Sequence, residues 1–162
     1  MSELRRKAMN HSGRIREVER YLKEWYKVCK SIEEAERDAV SIAFAGGFGA
    51  GVQTSCTSDK TYMAVEKLEK VALNKRWIAG IQQAINEMAG LDPDKVELIC
   101  GHYSLNHKNG YSMDRAATFR ERYCRKHYIS VAKYYTERRD AVTEIVDICS
   151  DLGLFRNSNN NL

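Results

Sequence analysis

The chain contains a single proline, Pro93, among its 162 residues. Proline interrupts helices and marks turns, so its scarcity leaves long stretches of the chain free to form helices. Apolar residues recur at intervals of three and four positions rather than alternating, which is the spacing of amphipathic helices. These two features together predict an all-α fold.

The sequence also lacks the features of secreted and membrane proteins. Its five cysteines are an odd number at wide spacing, unlike the dense framework of a disulfide-stabilised domain. The charged N-terminal stretch "MSELRRKAMNHSGRIREVER" has no apolar run of signal-peptide length, and no later segment is long and apolar enough to span a bilayer. A reduced, soluble, cytoplasmic protein with no membrane partner is the expectation.

Motifs of catalysis and nucleotide binding are missing too. The glycine-rich stretch "AGGFGAGVQTSCTSDK" has neither the Gly-Lys-Ser/Thr ending of a phosphate-binding loop nor the spacing of a dinucleotide fingerprint. We interpret residues 46–58 as a flexible loop. Because no Ser-His-Asp order or paired acid motif is present either, we expect no enzymatic activity and no cofactor.

Residues 1–45 are predicted to form N-terminal helices. The first would carry an apolar stripe at three- and four-residue intervals: Ile15, Val18, Leu22, Trp25 and Cys29. Ser31 and Glu34 have the spacing of a capping box, which predicts that a second helix begins there. Its inner face would be Ile32, Ala35, Ala39 and Phe44.

A long amphipathic helix is predicted over residues 59–90. The apolar residues assigned to its inner side are Tyr62, Val65, Leu68, Ala72, Ile78, Ile81, Ile85 and Met88. A helix with one such stripe would pack along its whole length against the rest of the protein.

Residues 91–155 are predicted to form a helix-turn-helix DNA-binding region. Asp92 with Pro93 and Ser112 are suited to begin two successive helices, with a turn at Asn109-Gly110 between them. A tight break then precedes Ser130, which would cap a last helix, while Ile129 fills the angle between the two helices. Gly153 would end that last helix, and residues 156–162 are expected to be a disordered tail.

Charge and side-chain type in this region favour DNA as the partner. Between Tyr111 and Arg139 there are eight basic and three acidic side chains, a net charge of +5, against +4 for the whole chain. Base edges would be read by the exposed side chains at the start of the last helix, Ser130, Val131, Tyr135, Thr136 and Arg139. Phosphates would be bound by Arg115, Arg120, Arg122, Arg125, Lys126, Lys133 and Arg138.

The same region resembles the sigma-factor region-four-like helix-turn-helix of phage transcriptional regulators of the RinA and ArpU type. The resemblance is carried mainly by "ISVAKYYTERRDAV" and "DICSDLGLF", with looser similarity in "EVERYLKEW" and "SDKTYMAVEKLEK". It implies a phage or prophage protein, in a bacterial host cell, that binds double-stranded DNA and activates late or packaging genes. Host RNA polymerase would be a further partner.

Three alternatives remain open from the sequence. Cys100, His102, Cys124 and His127 are enough in number for a zinc site, but their spacing matches no common finger, so we predict no metal. A small terminase-like subunit would also combine DNA recognition with an oligomerising helical part. A helical protein-interaction module is the third. We expect a homo-oligomer, with a dimer favoured, although the first stripe and the long helix could pair either within one chain or between chains.

Overall fold

The computed structural model describes residues 2–46 and 58–155, and the side chains of residues 10–41 and 63–155. Most of the predicted loop over 46–58 and the predicted tail over 156–162 lie outside these ranges. The described residues form helices and no strand, which confirms the all-α class. The helices are α1 Ser2–Lys23, α2 Trp25–Gly46, α3 Ser58–Leu91, α4 Pro93–His102, α5 Met113–His127 and α6 Val131–Asp151.

None of the described helices has an apolar segment of the length needed to cross a membrane.

The first two helices form an almost continuous rod. Only Glu24 separates them, and helical hydrogen bonds continue across it, from the Glu24 amide to the Arg20 carbonyl and from the Val28 amide to the Glu24 carbonyl, both 2.9 Å. The prediction that a helix begins at a Ser31 capping box is therefore wrong, because Ser31 lies inside α2. Burial explains the difference: Val28 on one side of Ser31 and Ile32 on the other both pack against the core, which keeps the backbone helical between them.

The end of α2 also departs from its predicted inner face. Ile32 and Ala35 are partly buried, but Ala39 is exposed, and the side chain of Phe44 lies outside the described part. The second half of this helix therefore extends beyond the core.

The main core lies where α1, α3 and α6 meet. Tyr21 of α1 stacks on Trp77 of α3 with ring centroids 5.0 Å apart, and Phe155 meets the edge of the same indole at 4.9 Å. The buried residues that share this core include Val18, Leu22, Ile81, Ala84, Met88, Ala141, Val142, Ile145, Val146 and Cys149. Burying each large aliphatic side chain contributes about 1.5–3 kcal/mol, so this contact holds the N-terminal and C-terminal parts together.

The long helix α3 has two apolar faces instead of one. Ile81, Ile85 and Met88 are buried, as predicted, but Val65 and Leu68 are 48% and 65% exposed. The single stripe predicted along this helix is therefore wrong for Val65, Leu68 and Ala72, while Tyr62 lies outside the described side chains. At 3.6 residues per turn, the six-residue step from Ala72 to Ile78 carries the pattern to a different side of the helix.

Side chains begin the last three helices where the sequence predicted. Asp92, Ser112 and Ser130 each accept a hydrogen bond from the backbone amide three residues later, at 3.1 to 3.3 Å. These N-cap predictions are confirmed. Such caps satisfy amides that have no partner inside the helix, each contributing about 1 kcal/mol.

The same three helices end in one common way. Each has a residue with positive φ after its last turn, followed by a branched apolar residue whose amide bonds back to a cysteine carbonyl at 3.1 Å. The positive-φ residues are Ser104, Tyr128 and Gly153, and the bonds are Leu105 to Cys100, Ile129 to Cys124 and Leu154 to Cys149. This is the Schellman arrangement, and the prediction that Gly153 ends the last helix is confirmed.

Candidate nucleic-acid interface

A second, smaller core holds α4, α5 and α6 together. It consists of one buried residue from each helix, Leu98, Tyr123 and Tyr134, none more than 3% exposed. Ile129, from the connection between α5 and α6, packs against this cluster, as the sequence predicted. This cluster therefore joins the three helices at a point separate from the main core, to which α4 and α6 also contribute.

The connection between α5 and α6 has three residues. Tyr128 adopts φ 54° and ψ 43°, a left-handed conformation that side chains rarely take, and its side chain is 95% exposed. Ser130 then returns the chain to an extended conformation and caps α6. The tightness of the turn is therefore maintained by Ile129, which is packed inside, while Tyr128 carries backbone strain.

All five side chains predicted to read bases lie on the surface. Ser130, Val131, Tyr135, Thr136 and Arg139 are exposed at the N-terminal end of α6. Tyr134, which lies between them in the sequence, is fully buried and anchors this end of the helix to α4 and α5. The first turns of α6 thus have one buried anchor and an otherwise accessible surface.

Tyr135 lies between two arginines from different helices. The Arg120 guanidinium of α5 donates a 2.6 Å hydrogen bond to the Tyr135 hydroxyl, and the Arg138 guanidinium lies 5.2 Å from the centre of the same ring. The Nε atoms of both arginines are buried and have no hydrogen-bond partner among the described residues. Two positive charges are consequently held close together around one exposed aromatic ring.

A buried histidine holds one of these arginines. His102 at the end of α4 is 4% exposed, and its Nε2 accepts a hydrogen bond from Arg138 at 3.0 Å. Because an arginine can only donate, Nε2 carries the lone pair and Nδ1 carries the proton. His102 Nδ1 therefore donates to the Tyr134 hydroxyl, 2.7 Å away.

The environment keeps His102 neutral. Burial, reinforced by the positive charge of Arg138, lowers the pKa of His102 to about 4. A neutral imidazole can accept from Arg138 at physiological pH, whereas an imidazolium could not. The buried ring thus links α4 to the exposed surface of α6.

The remaining predicted phosphate-binding residues divide into two groups. Arg115 is committed to the loop before α5, since its guanidinium donates to the carbonyls of Gly110 at 2.9 Å and Asn109 at 3.3 Å. The other four, Arg122, Arg125, Lys126 and Lys133, are exposed. Of these, Lys126 lies 2.8 Å from Glu97, and Lys133 lies 4.0 Å from Glu137 within α6.

Two of the four residues considered for zinc, His102 and Cys124, are engaged in other interactions. Both ring nitrogens of His102 bind Tyr134 and Arg138, and Cys124 Sγ lies 3.9 Å from the carbonyl of Ser130. A different trio, Asp94, Glu97 and His127, brings its ligand atoms within 4.8 Å of one another. Glu97 in that trio also forms an exposed ion pair with Lys126, at 2.8 Å.

An open groove of about 690 Å³ lies between α4 and α5. Phe119 covers part of it by packing on Gly101, where an added Cβ atom would lie 2.0 Å from the ring. Cys100 also lines the groove, but burial raises the pKa of its thiol, which keeps the sulfur protonated at neutral pH. Phe119 therefore joins α5 to α4 beside this groove, and Cys100 in its lining is not an activated thiol.

Sequence reasoning missed the role of His102 and Leu98. Both lie on a second face of α4, one helical turn apart, whereas Val96, Ile99 and Tyr103 face the main core. The spacing of four between Leu98 and His102 was a usable signal for this second face. Their contact with Tyr134 was not predictable, because it depends on how α4 and α6 cross.

No protein-family description, curated protein or solved structure matches this chain.

Proposed function

We propose that this protein binds double-stranded DNA in a sequence-specific manner, with α5 and α6 acting as a helix-turn-helix unit. The observation that carries the proposal is the accessible N-terminal end of α6, where Val131, Tyr135, Thr136 and Arg139 are exposed around the buried anchor Tyr134. A recognition helix needs this arrangement, because its first turns must enter the major groove while its buried side stays packed against the other helices.

The short connection between α5 and α6 supports the same proposal. Helix-turn-helix units join their helices through three or four residues, and three residues, 128–130, lie between these two helices. The cluster of Leu98, Tyr123 and Tyr134 would hold the unit rigid when the duplex binds.

Positive charge around the helix end supplies the phosphate contacts in this proposal. Arg122 and Arg125 of α5 are exposed and make no hydrogen bond within the described part of the chain, so they are available to phosphates. Arg120 and Arg138 would present a second basic site beside Tyr135. We assign a smaller part to Arg115, whose guanidinium is already bound to loop carbonyls.

The biological role within this proposal is that of a phage or prophage regulator that activates late or packaging genes. It is supported by the resemblance to the RinA and ArpU type, which also suggests contact with host RNA polymerase. A small terminase-like subunit is the alternative among DNA-binding proteins. The arrangement of sites would separate the two, since a dimer requires paired half-sites about one helical turn apart and a ring does not.

A helical protein-interaction module is the second candidate function. It is favoured by large apolar side chains that are exposed on the first half of α3, among them Met63, Val65 and Leu68. Protein partners, rather than DNA, would then be the main ligands of the chain.

The experiment that tests DNA binding is selection from a random duplex library with the purified protein at low and at high salt. Enrichment of one motif that persists at high salt is the expected result, because base contacts survive when phosphate contacts are screened. Binding that disappears with salt and enriches no motif would contradict sequence-specific recognition. Failure to bind any duplex at low salt would contradict the proposal as a whole.

Variants of single residues test the placement of the interface. Tyr135→Ala and Arg139→Ala should relax the preference at particular base pairs, each at a cost of about 1–3 kcal/mol for the preferred site. Arg122→Ala and Arg125→Ala should weaken binding to all sequences and reduce the salt slope by about one unit each. Arg37→Ala is the matched control, since it removes the same charge from the exposed surface of α2.

Comparing the DNA affinities of the four interface variants with that of the control tests where the interface lies. If Arg37→Ala weakens binding as much as Arg122→Ala, only the net charge of the protein matters, and α5 is not the phosphate contact. If all four interface variants bind like the wild type, α6 is not the recognition helix.

A further inference from the structure

An open cavity of about 530 Å³ lies between the junction of α1 with α2 and the loop before α5. Its lining contains four lysines, two tyrosines and no acidic side chain. The lysines are Lys23, Lys27, Lys30 and Lys108, and the tyrosines are Tyr26 and Tyr111. We call this site the lysine cavity.

Two separate parts of the chain bring the lysines together. Those of the α1–α2 rod follow one another at intervals of four and three positions, so they share one face of the helix. Lys108 comes from the loop, which packs closely on the rod: a Cβ atom added to Gly110 would lie 3.1 Å from the Cβ atom of Tyr26. The fold therefore places the fourth lysine opposite the other three.

Little within the described part of the chain neutralises these charges. Of the four lysines, only Lys30 has an ion-pair partner there, Glu34 at 4.0 Å. Glu19 and Glu24 lie near Lys23 but accept hydrogen bonds from other side chains. Because like charges one helical turn apart repel each other, a ligand that brings negative charge into the cavity would relieve this repulsion.

The lysine cavity is connected to the surface proposed to bind DNA. The Lys23 ammonium lies 5.8 Å from the centre of the Tyr111 ring, and the centre of that ring lies 6.2 Å from the centre of the His102 ring. His102 in turn accepts a hydrogen bond from Arg138 at 3.0 Å. Three successive contacts thus lead from the cavity to the basic site beside Tyr135.

The buried ring of His102 is affected by charges from both places. Besides burial, which is the largest cause, the positive charges of Arg138, Lys23 and Arg120 lower the pKa of His102. Because electrostatic interactions weaken with distance, all three charges lie near that ring. Helices α1, α5 and α6 therefore contribute positive charge to one region of the protein.

We propose that the lysine cavity binds backbone phosphates of the DNA that flank the base pairs read by α6. This inference rests on the proposed DNA binding and extends its interface to the α1–α2 rod. Lysine suits such a contact, because its ammonium is a point charge on a flexible stem. All four lysines are exposed, so a duplex can reach them.

A small phosphorylated molecule fits this cavity less well. Sites for such ligands commonly use arginine forks or backbone amides that point at the phosphate. No arginine lines the cavity, and the amides of Asn109 and Gly110 are both bonded to His107. Flexible lysines without these donors favour the repeated phosphates of a duplex.

Fluorescence anisotropy with the full chain and a labelled duplex tests the proposal, at salt concentrations from about 50 to 300 mM. The duplex carries the motif enriched by selection, or any sequence if no motif is enriched. The double variant K27A/K108A should lower the salt slope by about two units and weaken binding roughly 10- to 100-fold at about 100 mM salt. K27R/K108R keeps both charges and should bind within about three-fold of the wild type.

The matched control is K67A/K70A, which removes two lysines from exposed positions on α3 outside the cavity. It should bind within about two-fold of the wild type, because charges distant from the duplex release no counterions. The preferred motif should be the same for every variant, since phosphate contacts carry no sequence information directly. Circular dichroism should show equal helix content in all of these proteins.

Shortening the duplex tests the position of the contact. Removing base pairs one at a time from each end should weaken binding of the wild type at the step that removes the phosphates bound by the cavity. K27A/K108A should show no loss at that step, because it lacks the contact.

The possible failures separate the two proposals. A wild type that binds no duplex would refute the proposed function, and this inference with it. If the wild type binds DNA but K27A/K108A behaves like K67A/K70A, or both the wild type and K27A/K108A respond equally to shortening, only this inference is wrong. Equal losses in K27A/K108A and K27R/K108R would also overturn it, since the charge of the cavity would then not be the cause.

Discussion

The buried histidine makes the stability of this protein depend on pH in a predictable way. The folded protein holds the pKa of His102 at about 4, against the ordinary value of 6.5 for an accessible histidine. As the pH falls through 6.5, His102 becomes protonated in the unfolded chain but stays neutral in the folded protein, so unfolding becomes more favourable. The stability associated with His102 is complete above pH 6.5 and is lost progressively toward pH 4.

The size of the effect follows from the two pKa values. A difference of one pKa unit corresponds to about 1.4 kcal/mol, so the full loss is about 3 kcal/mol below pH 4, of which about 2 kcal/mol is already lost at pH 5. His102 is only 4% exposed, so solvent screening reduces this value little. Such a loss is a large part of the stability of a typical domain.

Urea denaturation at pH 7.5 and at pH 5 measures the effect, with circular dichroism as the signal. The variant His102→Gln removes the titrating group but keeps a carbonyl oxygen that can accept from Arg138. It should be less stable than the wild type at pH 7.5, yet lose about 2 kcal/mol less on going to pH 5. His11→Gln, at an exposed position on α1, is the control and should behave like the wild type at both pH values.

The protein concentration must be the same in every experiment, because self-association would add its own stabilisation. If the wild type and His102→Gln lose equal stability between pH 7.5 and pH 5, the imidazole is not held neutral in the folded protein. The reasoning about the contact between His102 and Arg138 would then be refuted.

Two further predictions concern single positions at the ends of helices. Gly101→Ala should lower the free energy of unfolding by about 1–3 kcal/mol, because its Cβ would lie 2.0 Å from the Phe119 ring. The control Gly13→Ala, whose Cβ would meet no atom within 4 Å, should instead raise the free energy of unfolding by up to about 1 kcal/mol. Equal gains in both variants would refute the close approach of Phe119. Tyr128→Gly should raise the free energy of unfolding by about 1 kcal/mol, because Tyr128 has φ 54°. Tyr128→Ala retains a Cβ atom and should bring no gain in the same urea denaturation, so a gain in both variants would show that removal of the exposed ring, not relief of φ, is the cause.

Local signals along the chain were sufficient to predict the helical class and most helix ends. Asp92, Ser112 and Ser130 begin helices because their side chains accept from amides only three residues away. Gly153 ends a helix because it readily adopts positive φ. Interactions of this range depend on neighbouring residues alone, so the sequence is enough to recognise them.

Patterns that span longer distances were predictable only in part. No helix begins at the Ser31 capping box, because Val28 and Ile32 pack on the same core and keep the chain helical between them. The stripe along α3 was assigned to one side of the helix, although its apolar face changes between Ala72 and Ile78. The change of face could have been found from the six-residue interval. The burial that keeps Ser31 helical could not, because it comes from contacts with other helices.

By itself, the sequence determined where the chain is helical, where charge concentrates and which residues begin the last three helices. Only the tertiary structure decided which side chains meet. His102, Tyr134 and Arg138 form one network because α4 and α6 cross at that point, and Arg120 reaches Tyr135 across 15 positions of the chain because α5 lies beside α6. Contacts of this kind depend on how helices pack, and the spacing of residues along one helix contains no information about the orientation of its neighbours.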